Sequence, residues 1–177
     1  LRFPKDFLWG TAISAYQTEG GNKNNQWYAW EREGGHILDG SVCGRADDFY
    51  HLYEHDLDLA TELGHNTFRF SIEWSRVEPK KGVWNNKEVE HYRGVLKAIN
   101  KRGLKPLLTL HHFTNPLWME KEGGWLNKGS VEYFTRYAIH VAENLGDLVD
   151  LWAPINEPTG YAASTYLLAL TPPAQSS

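Results

Sequence analysis

DDFYHLYEHDLDLATELGHNTFRFSI, residues Asp47 to Ile72, changes its period once along its length. From Asp47 to Leu63, apolar or aromatic residues fall at Phe49, Leu52, Tyr53, Leu57, Leu59 and Ala60. That spacing marks one face of a helix, and Gly64 stops it. Thr67 to Ile72 then reads as a strand. A helix that delivers the chain directly into a strand is part of a βα repeat, and the same alternation continues on both sides, which predicts a parallel sheet.

Upstream, Phe7 to Ala15 reads as the first strand and its exit, followed from Glu19 to Gly44 by a glycine- and asparagine-rich stretch without sustained period, read as a long functional loop or an irregular excursion. Downstream, Trp74 to Trp84 is a loop broken by Pro79 and Gly82, and a helix from Asn86 to Lys101 ends at Gly103 in a C-cap position. The third strand is Leu104 to Leu110, with Leu107, Leu108 and Leu110 buried. Pro116 to Asn127 is a loop with paired glycines, and Ser130 is the N-cap of a helix running to Leu145. Leu148 to Ile155 is the fourth strand, in which Pro154 is awkward because proline has no ladder donor. Tyr161 to Leu170 begins a fourth helix, and Thr171 to Ser177 is a polar tail. The result is four βα units in a single domain over residues 1–177. A whole (β/α)8 barrel needs about 250 residues, so this is either a smaller architecture or part of such a barrel.

Composition narrows the function. The net charge of −4, from 18 basic and 22 acidic residues scattered along the chain, offers no stripe for a phosphate backbone, so nucleic acid is not expected as a partner. One cysteine, Cys43, allows no intramolecular disulfide and no thiolate cluster. No leader pattern or long apolar run is visible, and the reading is a cytoplasmic protein without a membrane partner. Aromatic residues reach 14%, including eight Trp and nine Tyr. They either line a cleft suited to sugar faces or fill a large core.

In a barrel the active site forms at the C-terminal ends of the strands. The polar residues there are Gln17, Arg69, His111, His112 and the pair Asn156-Glu157. Burial of Glu157 at the mouth would suit it for general-acid work near neutral pH, against the alternative of a surface glutamate. Neighbours on an ideal strand face opposite ways, so Asn156 and Glu157 can serve one site only if the strand twists or bulges at its end. Arg69 needs an acceptor. Glu73 is one candidate for an ion pair, and a carboxylate outside this sequence is the other. His111 and His112 lack a second ligand pair, so no metal is expected, nor any other cofactor. One of them binds substrate or sits neutral in the core.

As an ordered set these residues identify the chain as similar to the family 1 glycoside hydrolases, which include β-glucosidases and β-galactosidases. The matching segments are FPKDFLWGTAISAYQTEG (Phe3 to Gly20), HDLDLATELGHNTFRFSIEWSRVEP (His55 to Pro79), GLKPLLTLHHFTNPLW (Gly103 to Trp118), GGWLN (Gly123 to Asn127) and INEP (Ile155 to Pro158). The resemblance implies the first four units, one half, of a TIM barrel. It implies Glu157 as acid/base, Asn156 as donor to the sugar 2-hydroxyl, Gln17 and His112 as ligands of a β-glycoside's glycone, and Arg69 as the partner that orients the nucleophile. Phe113 stands where many members place a tryptophan. The family's nucleophile lies in a TENG-type motif on the seventh strand, which this sequence does not contain. Retaining hydrolysis needs two carboxyls about 5 to 5.5 Å apart. The expectation is therefore a β-glycosidase half that is inactive alone, with a non-catalytic sugar-binding scaffold as the alternative and a Glu157–Glu73 enzyme as a third reading. A half barrel exposes its outer strands, so a homodimer or association with a complementary C-terminal half is expected.

Overall fold

The computed structural model describes residues 2–174. Four strands, β1 (Gly10–Ala12), β2 (Thr67–Ser71), β3 (Lys105–His111) and β4 (Leu151–Ile155), form one parallel sheet in the order β1-β2-β3-β4. Register is continuous across it: Ala12 pairs with Arg69, Arg69 with Leu107, and Leu107 with Leu151. The helices are α1 (Ala15–Thr18), α2 (Gln26–Glu33), α3 (Phe49–Glu62), α4 (Trp74–Val77), α5 (Asn86–Lys101), α6 (Leu117–Lys121), α7 (Ser130–Leu145) and α8 (Pro158–Ala162). The three long ones, α3, α5 and α7, are the crossovers, and no helix among the described residues is long and apolar enough to cross a membrane.

The core lies between the crossover helices and one face of the sheet. Phe68, Phe70, Leu108 and Leu110 from the strands pack with Leu57, Leu96, Ile99 and Val141 from the helices. Much of the aromatic content goes here. Trp74 is 1% exposed, stacks on Tyr137 with ring centroids 4.6 Å apart, and meets Trp118 and Trp125 edge-on. Gly103 takes φ +71 immediately after α5, the left-handed exit expected of it.

Several boundaries differ from the sequence reading. The stretch Glu19 to Gly44 contains α2, capped by Asn25, whose Oδ1 accepts from the Tyr28 N–H at 2.9 Å. This helix is short and half-buried along most of its length, so it leaves no apolar stripe. Single turns, α4 and α6, also form inside the segments read as loops. Gly129, not Ser130, holds the N-cap position of α7, and the Ser130 hydroxyl reaches back to the Trp125 carbonyl at 3.4 Å. The fourth strand begins at Leu151 because Gly146–Leu148 coils into a 3₁₀ turn first. The final helix begins at Pro158, earlier than Tyr161, since proline suits a first helical position. Pro154 is accommodated by a gap in the ladder, which passes from Thr109–Ala153 to His111–Ile155. Leu52 and Leu59, read as part of the buried stripe of α3, are 41% and 45% exposed.

Both outer strands are open. β1 is exposed throughout, and Leu151 and Trp152 of β4 are each 37% exposed. On its inner edge β1 is tight: a Cβ at Gly10 would lie 2.2 Å from the Thr67 carbonyl oxygen. Gly10→Ala should therefore lower the unfolding free energy by about 1–3 kcal/mol. Equilibrium urea unfolding would measure this, and an unchanged midpoint would mean that β1 can move off β2 without cost.

Candidate active site

Arg69 projects from the middle of β2 and is half-buried. Its Nε donates to Thr109 Oγ1 on β3 at 3.0 Å, and its Nη2 donates to Asn156 Oδ1, just past β4, at 2.5 Å. One guanidinium thus ties three strands together. The ion pair with Glu73 offered by the sequence does not form. Glu73 is fully buried and accepts from Ser75 Oγ at 2.7 Å and Thr114 Oγ1 at 3.0 Å. Burial pushes its carboxyl above the usual carboxylate range, against those hydrogen bonds. Among the described residues, the arginines in ion pairs are Arg45, Arg76, Arg93, Arg102 and Arg136, and Arg69 is not one of them.

Asn156 extends the β3–β4 ladder by donating its backbone N–H to the His111 carbonyl at 2.8 Å. Its side-chain oxygen is taken by Arg69, which leaves the buried Nδ2 without a protein partner. Glu157 follows in the left-handed region, φ 43 and ψ 57, as the N-cap of α8. This is the departure from strand geometry that two neighbours need to serve one site. Glu157 is solvent-exposed, so the burial expected of it is not supplied by these residues.

Gln17 and His112 line one cavity of about 340 Å³ together with Tyr16, Trp27, Glu31 and Phe113. Gln17, on α1, accepts from Ser14 Oγ at 2.5 Å. His112 is held neutral, its pKa pushed down to about 4 by burial and then by the charge of Arg69. His111 points elsewhere. It is 1% exposed, its Nε2 meets Asn115 Oδ1 at 2.8 Å, and burial pushes its pKa down to about 4 as well. The two histidines therefore divide the roles left open by the sequence: His111 is a core histidine, and His112 faces the cavity.

Sequence reasoning missed Tyr16, Trp27 and Glu31. The Tyr16 hydroxyl and Glu31 Oε1 are buried without a hydrogen-bond partner in this cavity wall. Trp27 and Glu31 are four residues apart on α2 and share a face, a signal available only once that helix is recognised. A second depression, of about 500 Å³, opens beside Arg45 and Arg76, but those guanidiniums are committed to Asp48 and Glu19. Glu19 is itself buried. It accepts from Arg76 Nε at 2.9 Å and the Tyr92 hydroxyl at 2.7 Å, and burial pushes its pKa up to about 7.

The histidines make a pH prediction. Their folded pKa values of about 4 lie below the ordinary 6.5, so the native state binds fewer protons than the unfolded chain in between. Their contribution to stability is present above pH 6.5 and is lost as the pH falls towards 4. Imidazole ¹⁵N shifts should show both rings neutral at pH 6. A ring half-charged there would contradict the desolvated setting.

This constellation can be set beside known proteins. The model for glycosyl hydrolase family 1 matches residues 1–177. β-Glucosidase A of Acetivibrio thermocellus is 38% identical over 164 residues, covering 89% of this chain and 37% of that protein. The 6-phospho-β-galactosidase of Clostridium acetobutylicum is 37% identical, covering 97% of this chain and 37% of that protein. The solved β-glycosidase from Pyrococcus horikoshii superposes with a TM-score of 0.93 at 42% identity, over all of this chain and 41% of that one. The chain thus spans about two fifths of the length of these relatives. Its sheet is the first half of a (β/α)8 barrel, and the chain belongs to glycosyl hydrolase family 1.

Proposed function

We propose that this chain supplies the acid/base half of a retaining β-glycosidase and acts together with a complementary C-terminal half that carries the nucleophile. The observation that carries this reading is the state of Arg69 and Asn156. Arg69 has two neutral partners and no carboxylate among the described residues, and Asn156 has a buried, uncommitted amide beside it. A guanidinium in that setting is suited to a carboxylate from elsewhere in the barrel, and the amide to a sugar hydroxyl. Gln17 and neutral His112 add hydrogen-bonding groups for the glycone.

In the reaction so assigned, the nucleophilic carboxylate attacks the anomeric carbon while Glu157 protonates the departing glycosidic oxygen. Glu157 then takes a proton from the water that releases the sugar. Closure of the barrel over β4 would give Glu157 the desolvated setting it lacks here. Glu73, the second carboxyl of the single-chain alternative, is fully buried behind Ser75 and Thr114 and is unsuited to that part. The open edges of β1 and β4 support association of the chain with the complementary half or with a second copy.

Hydrolysis of p-nitrophenyl β-glucoside, with and without a separately expressed C-terminal half, tests the reading. Turnover should require both pieces, and Glu157→Gln should reduce it roughly a hundredfold to ten-thousandfold. Unchanged activity in the variant would remove Glu157 from the chemistry. No turnover in either mixture, with retained sugar binding, would favour a non-catalytic scaffold. In sedimentation the chain alone should run as an oligomer, and mixed with the C-terminal half as a joint complex; a well-packed monomer under both conditions would contradict the proposed association.

A further inference from the structure

The turn that carries His112 and the helix that carries Glu157 meet at one buried side chain. Asn115 is 0% exposed. Its Oδ1 accepts from Trp125 Nε1 at 3.0 Å and faces His111 Nε2 at 2.8 Å. Its Nδ2 donates to Glu120 Oε1 at 2.6 Å and to the Tyr161 hydroxyl at 2.9 Å. An indole N–H can only donate, so the atom facing Trp125 must be the amide oxygen. His111 Nε2, facing the same oxygen, must then carry the imidazole proton, which leaves Nδ1 bare. That agrees with a buried Nδ1 lacking a partner and a ring held neutral. All four hydrogen-bonding positions of the Asn115 amide are used.

The backbone of Asn115 is held as firmly. Its N–H donates to Gln26 Oε1 at 2.6 Å, its carbonyl accepts from the Gln26 N–H at 3.3 Å, and Gln26 Nε2 donates to the Phe113 carbonyl at 2.8 Å. Phe113, between His112 and this clamp, is held at φ +69, a conformation that costs a non-glycine residue free energy and persists only where surroundings impose it. On the other side, Tyr161 lies in the first turns of α8, donates its backbone N–H to the Glu157 carbonyl at 2.8 Å, and stacks on Phe113 with centroids 6.0 Å apart.

We propose that Asn115 is a positioning residue that sets the distance between the glycone ligand His112 and the acid/base Glu157, acting on the first through the Gln26-clamped turn and on the second through Tyr161. This rests on the acid/base reading of Glu157. Asn115 is fully buried behind the rim and acts through its neighbours. It couples the exit of β3 to the start of α8, two segments that also meet through the stacked ring of Phe113, the edge contact of His111 with Tyr161 and the end of the β3–β4 ladder.

Two variants separate positioning from general stability. Asn115→Ala removes the whole hub, whereas Tyr161→Phe deletes only the hydroxyl through which the hub holds α8. In a complete barrel carrying these residues, kcat/KM, which reports the step in which the leaving group departs, would be measured on phenyl β-glucoside, whose leaving group needs protonation, and on 2,4-dinitrophenyl β-glucoside, whose leaving group does not. A misplaced acid should cost Tyr161→Phe about tenfold or more on the first substrate and far less on the second. Equal losses on both, or none on either, would overturn the proposal. A wild-type barrel inactive on both would overturn the acid/base reading, and the proposal with it. Imidazole NMR of the 177-residue chain decides the geometry independently of turnover. His111 should be the Nε2–H tautomer in the wild type and in Tyr161→Phe, and should lose that preference in Asn115→Ala. Retention of the tautomer in Asn115→Ala would refute the hub.

Discussion

A guanidinium on the face of a parallel sheet must be hydrogen-bonded, because leaving it bare away from water is costly. Arg69 meets that requirement by drawing on two neighbouring strands at once, Thr109 on β3 and Asn156 past β4. Its position constrains much of the rim. Asn156 must present its oxygen towards β2, so its nitrogen points away, and the backbone has to turn sharply at Glu157 to leave the sheet. The charge of Arg69 also reinforces the neutrality of His112. The arginine therefore governs which atoms at the rim remain available to a ligand.

Behind the rim, buried polar side chains hold the loops where an apolar core could not. Glu73 bonds the Thr114 hydroxyl in the turn after β3, Glu19 bonds Arg76 and Tyr92, and Asn115 collects four partners from four segments. The Asn115 amide is fixed in one orientation because reversal would leave buried groups unpaired. The arrangement suits loops that must place side chains closely, since apolar contacts tolerate sliding and hydrogen bonds do not.

The same physics explains which features were legible in the sequence. The crossover helices and strands β2 and β3 bury apolar residues at a regular period, so their existence and order could be read directly, and Gly103 marked the end of α5. Gln17, His112, Asn156 and Glu157 were legible as polar residues at or just past strand ends, and Arg69 as a guanidinium within the second strand. What was not legible is held by hydrogen bonds rather than by a stripe. Helix α2 rests on the Asn25 cap and the Gln26 clamp, so Trp27 and Glu31 of the cavity wall were missed with it, while Tyr16 sits on the single turn α1. The guess of Glu73 as partner to Arg69 failed because proximity in sequence did not place the two side chains together. Glu73 was already committed to Ser75 and Thr114.

Three features that look separate share one requirement. Strands β1 and β4 have an unpaired edge, Glu157 is exposed at a position whose proposed work calls for desolvation, and Arg69 has only neutral partners among the described residues. A dimer through the edges alone would address the first. A ligand in the cavity would address none of them fully. Further strands continuing the sheet past β4 would pair the edge, cover Glu157 and allow a carboxylate to face Arg69, all in one packing event. On the proposed reading, catalysis and completion of the fold are therefore the same step, because the groups that would make Glu157 an acid are the groups that would close the barrel.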